Sequence, residues 1–225
     1  MKFLKITAAA VVASSLAMSA QAGEGNSPNN NAEIADSNCF WVGPYHKENP
    51  VTNIAYPDTG AKYWSANFAM PEGSSLVLNG RYMHNRYMSY NSYDIAGENP
   101  TFSPVSGIAD VDLQPDHKNA KNPYVEGNKR GTPLRNYTVD VLTGAPVESG
   151  LANTLYSNAE YGERATVVLR SYVMDEGTGN TAGEYLPTPI VALADGTVLT
   201  DVEEICGELD VDSSVIDVPL IPPAS

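Results

Sequence analysis

The feature that most constrains the fold is a hydrophobic pattern that repeats every second residue. Between Lys62 and Met70, side chains on one face of the segment are apolar or small. Period-two alternation is typical of a strand with one buried face, because successive strand residues point to opposite sides of the sheet. The predicted inner face comprises Trp64, Ala66, Phe68 and Met70, and the opposite face Tyr63, Ser65, Asn67 and Ala69.

Further short strands are predicted at intervals of about ten residues. Met83-His84-Asn85 separates two of them by a gap short enough for a hairpin or a bulge. Ala165–Met174 is the most apolar stretch and is predicted to be a central strand. An Asp-Gly turn at Ala194-Asp195-Gly196 predicts a closing hairpin. The predicted strands are Ser75–Tyr82, Arg86–Asp94, Asp110–Gln114, Arg135–Leu142, Ala165–Met174, Ile190–Leu193 and Thr197–Leu199.

Many short strands interrupted by glycine and proline predict an all-β fold, namely a single-domain β-sandwich resembling a jelly roll. One short helix is predicted near the C-terminal end. Thr200-Asp201-Val202-Glu203 has the form of a capping box, with Thr200 as the N-cap and Glu203 three residues later. This helix would bring Cys206 against the body of the fold.

The first 22 residues have the features of a cleavable signal peptide. Lys2 and Lys5 are basic, Ile6–Met18 is largely apolar, and Ala20-Gln21-Ala22 suits signal peptidase. A membrane anchor is the alternative, but spanning needs about 20 consecutive apolar residues. The protein is expected to be exported, to the periplasm or beyond, and soluble after cleavage. We predict a signal peptide over 1–22, a flexible leader over 23–37, a β-sandwich over 38–210 and an extended Pro-rich tail over 211–225.

The chain contains two cysteines, Cys39 and Cys206. In an exported protein the oxidising environment favours a disulfide between them. A catalytic thiol is the alternative, but no histidine-containing motif flanks either residue. We therefore predict a bridge that joins the N-terminal arm to the C-terminal segment.

The chain is strongly acidic, with 27 Asp and Glu against 13 Lys and Arg and a formal charge of -14. A negative field of this kind repels nucleic acid and anionic lipid, so neither is an expected partner. An acidic surface could instead attract cations or basic partner proteins, or it could simply keep the protein soluble.

Residues suited to ligand binding are concentrated between Gly80 and Asp94. Tyrosine offers a flat apolar face with a polar rim, and arginine a planar fork of donors, which together suit sugars or carboxylate-bearing ligands. The alternative is that the tyrosines are core residues and the arginines pair with the plentiful acids. The candidate binding residues are Arg81, Tyr82, His84, Arg86, Tyr90, Tyr93 and Asp94.

Several motifs coincide with these segments: Tyr63-Trp64, Arg81 to Asp94, Gln114-Pro115-Asp116, Asn122-Pro123-Tyr124 and Arg135-Asn136-Tyr137-Thr138-Val139. Together they resemble an exported bacterial family of unknown function that carries a "His-Ala-Arg-Tyr-Met-Ser-Phe" strand. The stretch from Asn153 to Tyr172 is similar to the same family, and more distantly to the domain of unknown function numbered twelve-fourteen. The resemblance covers most of residues 54–195. It implies a β-sandwich outside the cytoplasm and no particular activity.

No sequence motif defines a metal site or a catalytic centre. His46, His84 and His117 lie far apart, so no metal site is predicted from them. Calcium is suggested only by the acidic segments Asp110–Asp116 and Asp175–Asn180, neither of which matches a defined loop. We therefore predict no cofactor.

Three functions remain open from the sequence. The preferred hypothesis is a non-catalytic β-sandwich that binds a small molecule, a glycan or a partner protein through the strand around Tyr82 to Asp94. The second is a hydrolase that uses Asp94 and Asp116 with His84 or His117 as the base. The third is a passive acidic surface component.

Overall fold

The computed structural model describes residues 36–48, 58–94, 103–147 and 151–214. The predicted signal peptide, nearly all of the predicted leader and most of the predicted tail lie outside these residues. No helix within the described ranges is long and apolar enough to cross a membrane.

The described residues form two five-stranded sheets with a shared hydrophobic core. Neighbouring strands are antiparallel, except that the strands Asn136–Leu142 and Thr154–Tyr156 pair in parallel. In spatial order, sheet A contains β1 (Val42–Tyr45), β2 (Ala61–Ala69), β8 (Arg164–Met174), β4 (Asn85–Asp94) and β5 (Ser103–Ala109). Sheet B contains β10 (Val198–Leu199), β9 (Thr188–Ala192), β3 (Ser75–Arg81), β6 (Asn136–Leu142) and β7 (Thr154–Tyr156).

One short α-helix, α1 (Val202–Glu208), follows β10. The predicted all-β sandwich with a short C-terminal helix is thereby confirmed. The N-cap of α1 is Asp201 rather than Thr200, because the Asp201 carboxylate accepts the backbone N–H groups of Glu203 and Glu204. A carboxylate in this position satisfies donors that have no partner within the helix.

The core is built from the apolar faces that the alternation predicts. Along β2, Trp64, Ala66 and Phe68 are fully buried, and they belong to the same core cluster as residues of sheet B. Burying one large apolar side chain contributes about 1.5–3 kcal/mol before the loss of conformational entropy is subtracted. β8 pairs with β2 on one side and β4 on the other, which confirms its predicted central position.

The segment Met83-His84-Asn85 is not a hairpin, because β3 lies in sheet B and β4 in sheet A. The chain crosses between the sheets here, and the backbone carbonyls of Tyr82 and Met83 have no hairpin partner strand. The buried guanidinium of Arg135 donates to both of them, at 2.6 and 3.0 Å. This satisfies polar groups that would be costly to bury alone.

Asp110–Gln114 is not a strand, since the chain forms a 3₁₀ turn over Asp110–Asp112. The buried carboxylate of Asp110 accepts the backbone N–H of Met88 at 3.0 Å, which ties this turn to β4. The short strands β1, β5 and β7 were not predicted from the alternation.

Cys39 and Cys206 form the predicted disulfide. The bond joins the segment before β1 to α1 across 167 residues of sequence. Because the chain has no other cysteine, a free catalytic thiol is excluded.

Gly80 of β3 provides a test of the sandwich packing. It pairs with Tyr137 of β6, and a Cβ at Gly80 would lie 2.4 Å from Cζ and Oη of that ring. We expect Gly80→Ala to lower the free energy of unfolding by about 1–3 kcal/mol, as overpacking of a core does. The control is Gly131→Ala, whose Cβ meets no atom within 4 Å. Equal stability of the two variants in urea titrations would contradict this packing.

Candidate functional site

The structure distributes the predicted binding residues over three environments. The division arises because the chain changes sheets at Met83 and then alternates along β4. Tyr82 and Tyr90 lie in the core, whereas Arg81 and His84 belong to a charge cluster at the crossing. Arg86, Tyr93 and Asp94 are exposed or partly exposed on β4.

The two core tyrosines have no surface for a ligand to contact. Tyr82 and Tyr90 are each 0% exposed. The Tyr82 hydroxyl donates to the carbonyl of Leu113 at 2.7 Å, and the Tyr90 hydroxyl lies 2.8 Å from that of Tyr137. Burial raises the pKa of both phenols well above the usual value, so they remain neutral. Tyr82 and Tyr90 therefore pack the interior of the sandwich, which agrees with the alternative that the tyrosines of this segment are core residues.

The charge cluster is centred on Glu184, which is 4% exposed. Its carboxylate lies 2.7 Å from Nε of Arg81, 3.3 Å from Nε2 of His84 and 3.4 Å from Nε of Arg135. Since Arg135 also binds the crossing backbone, the cluster locks the connection between β3 and β4. Glu184 was missed in the sequence because it lies at least 49 residues from each of its partners and belongs to no motif.

Partial burial makes His84 a poor proton acceptor. Burial lowers the pKa of His84, the positive charge of Arg135 lowers it further, and Glu184 and Asp175 only partly oppose them. The imidazole is therefore neutral near pH 7.

A different set of residues converges on the outer face of sheet A. Tyr63 lies directly opposite Arg170 across β2 and β8, and Tyr172 lies opposite Tyr87 across β8 and β4. All four occupy outward positions, since the intervening residues of each strand point into the core. We call Tyr63, Tyr87, Arg170 and Tyr172 the tyrosine–arginine patch.

The patch is held together by direct contacts between its members. The Arg170 Cζ lies 5.2 Å from the ring centroid of Tyr63 and 5.6 Å from that of Tyr172, distances typical of cation–π pairs. Arg170 Nη2 donates to the Tyr172 hydroxyl at 2.8 Å, and the hydroxyls of Tyr63 and Tyr172 are 2.6 Å apart. The Tyr87 ring packs edge-on against Tyr172 at 5.6 Å.

Polar side chains border the patch along β4. Ser89 and Asn91 follow Tyr87 on the same face. Ser89 is buried, and its hydroxyl donates to Oδ1 of the partly exposed Asn91 at 3.0 Å. Tyr93 continues this row. The patch and its border therefore combine flat aromatic surface with hydroxyl, amide and guanidinium groups. The sequence reasoning covered all four members only as parts of predicted strands or motifs, and none of them was named as a candidate binding residue.

The carboxylates and imidazoles that the hydrolase hypothesis requires are not brought together by the fold. Asp94 ends β4 in sheet A, whereas Asp116 accepts a hydrogen bond from the hydroxyl of Thr138 in sheet B. His84 belongs to the charge cluster, and Nδ1 of His117 accepts the backbone N–H of Asn119 at 3.1 Å. Within the described ranges, no hydrogen bond or ion pair joins these four residues.

The acidic segments that suggested calcium are engaged with protein groups. Asp110 accepts the Met88 N–H, and the carboxylate of Asp175 pairs with Arg130 at 3.0 Å. No group of three or more His, Cys, Asp or Glu side chains that could hold a metal ion occurs in the described part of the chain.

Comparison with known proteins identifies no family. No family model matches the chain, and no curated protein is similar to it. Among solved structures, an uncharacterized protein from Burkholderia cenocepacia is similar, with 12% identity and a TM-score of 0.38. The match covers 64% of this chain and 32% of that protein, so this chain spans about a third of its length. The resemblance to an exported bacterial family stays a prediction.

The charge cluster predicts a pH dependence of stability. Because the pKa of His84 in the folded protein lies below the usual value for histidine, the unfolded chain takes up this proton more readily than the folded chain. His84 therefore reduces stability as the pH falls below about 6.5. We expect the difference in urea midpoint between pH 8 and pH 5 to be smaller in His84→Gln than in wild type. Identical pH profiles would show that the cluster does not disfavour the charged imidazole.

Proposed function

We propose that this protein binds a carbohydrate through the tyrosine–arginine patch. The observation that carries the proposal is the convergence of three tyrosines and one arginine from β2, β8 and β4 on one sheet face. Tyr87 is 38% exposed and presents aromatic surface at the surface of the domain.

The chemistry of the patch suits a sugar ring. The apolar C–H face of a pyranose packs against a tyrosine ring, while its hydroxyls exchange hydrogen bonds with phenol, amide and guanidinium groups. The contacts that Arg170 makes with Tyr63 and Tyr172 hold these side chains in place before a ligand arrives. Preorganisation of this kind reduces the entropy lost on binding.

Binding is favoured over catalysis by the composition of the patch and its border. Its groups are phenols, hydroxyls, amides and a guanidinium, all of which are neutral or positively charged at neutral pH. The carboxylates of the hydrolase hypothesis lie elsewhere, so a general acid and a general base are not paired at the patch. The disulfide supports the predicted location outside the cytoplasm, where such bonds persist.

The proposal is tested by screening the purified domain against a glycan panel and measuring the Kd of the best ligand by calorimetry. We expect Tyr87→Ala to weaken binding by about 0.5–1.5 kcal/mol, the value of an aromatic contact. The control is Tyr185→Ala, which removes a tyrosine that is 54% exposed and lies outside the patch.

Both variants should keep the wild-type melting temperature within a few degrees, because both side chains are exposed. The proposal would be contradicted if no glycan bound, or if Tyr87→Ala and Tyr185→Ala lost the same amount of glycan affinity. Capture of a protein by the same face would favour a protein partner.

A further inference from the structure

A cavity of about 230 Å³ is lined by the edge strands β5 of sheet A and β7 of sheet B. It is separate from the tyrosine–arginine patch, whose members belong to β2, β8 and β4. An aliphatic cavity of about 150 Å³ admits benzene. The larger volume found here therefore has room for a single ring with a short substituent.

The lining of the cavity is largely apolar and reaches the surface of the domain. Ile108 is buried, whereas Val147 and Leu151 are 52% and 61% exposed. Ser106 also lines the cavity, and it lies directly opposite the buried Ser92 of β4, so two small side chains occupy this part of the edge. Apolar walls of this kind favour a ligand that removes apolar surface from water.

One polar group of the lining has no partner. Tyr156 is 5% exposed, yet its buried hydroxyl forms no hydrogen bond with any described residue. The backbone of this residue is held in place, because its carbonyl accepts the hydroxyl of Ser92. Buried polar groups are nearly always hydrogen-bonded, since a group that loses water without gaining another partner destabilises the fold. A polar atom of a bound molecule would satisfy this hydroxyl.

The remaining polar groups of the lining indicate the charge of the ligand. The Asn153 amide donates to two backbone carbonyls, and the Thr154 hydroxyl donates to one. Asp112 is exposed and is the only acidic or basic residue among the described residues of the lining. Its negative charge disfavours an anionic ligand. A cation gains little from a carboxylate that is exposed to water.

We propose that this cavity binds a small uncharged molecule that has one apolar ring and one hydrogen-bonding group, the latter pairing with the hydroxyl of Tyr156. The inference goes beyond carbohydrate binding and does not depend on it. A sugar is a poor occupant of this cavity, because most of its hydroxyls would lose water without gaining a partner.

The ligand class is tested with benzyl alcohol and with toluene, which has the same ring and no hydroxyl. Titration of the isotope-labelled protein with benzyl alcohol should shift the backbone amides around Ile108 and Tyr156 and leave those of the patch unchanged. Benzyl alcohol should bind about threefold to tenfold more tightly than toluene, as one hydrogen bond predicts. Unchanged amides in β5 and β7, or equal binding of the two compounds, would overturn the proposal.

The charge of the ligand is tested with benzoate and benzylamine. Benzoate should bind more weakly than benzyl alcohol because of the charge of Asp112. Benzylamine should bind no more tightly than benzyl alcohol, since the carboxylate is exposed. Tighter binding of either ion would overturn the uncharged class.

The role of the hydroxyl is tested by Tyr156→Phe, which keeps the ring. We expect about threefold to tenfold weaker binding of benzyl alcohol and unchanged binding of toluene. Because the variant removes a buried hydroxyl without a partner, its urea midpoint should equal or exceed that of wild type. The control is Tyr185→Phe, at a tyrosine that is 54% exposed and does not line the cavity. An equal loss of affinity in both variants, or a lower urea midpoint of Tyr156→Phe, would overturn the assignment.

Discussion

The alternation of side chains along β8 is the constraint on which the rest of the structure depends. Val167 and Leu169 enter the shared core, while Arg170 and Tyr172 point outward from the same strand. A register slip of one residue would bury Arg170 and expose Leu169, so the packing that stabilises the sandwich also determines which side chains point outward. Because β8 lies between β2 and β4, it aligns Tyr63 and Tyr87 on either side of its own outward residues.

The charge cluster around Glu184 and the tyrosine–arginine patch place arginine side chains in two different surroundings. At the crossing, Arg135 satisfies two backbone carbonyls and faces a buried carboxylate, so its charge is neutralised within the fold. At the patch, Arg170 packs between two phenol rings, and its charge has no carboxylate partner among the described residues. The first arrangement ties the connection between the two sheets, and the second holds a cation among aromatic rings on the outer face of sheet A.

Local sequence patterns predicted the strands that carry the core, the disulfide and the short helix. They did not predict the crossing at Met83 or the patch, because both depend on pairing between distant segments. Tyr63 and Tyr172 are 109 residues apart in sequence and become neighbours only through the β2–β8 register. The opposite environments of Tyr87 and Tyr90 were, by contrast, readable from the alternation along β4. The hypothesis of a single binding strand from Tyr82 to Asp94 therefore assigned residues of the inner face and of the outer face to the same site.

The central claim is that a ligand binds the outer face of sheet A. Backbone amide chemical shifts, recorded while the tightest-binding glycan of the panel is titrated into the isotope-labelled protein, test it most directly. We predict that the largest changes lie in β2, β8 and β4 around Tyr63, Arg170, Tyr172 and Tyr87, with sheet B unaffected. Changes concentrated in sheet B, or around Glu184 and His84, would contradict the account.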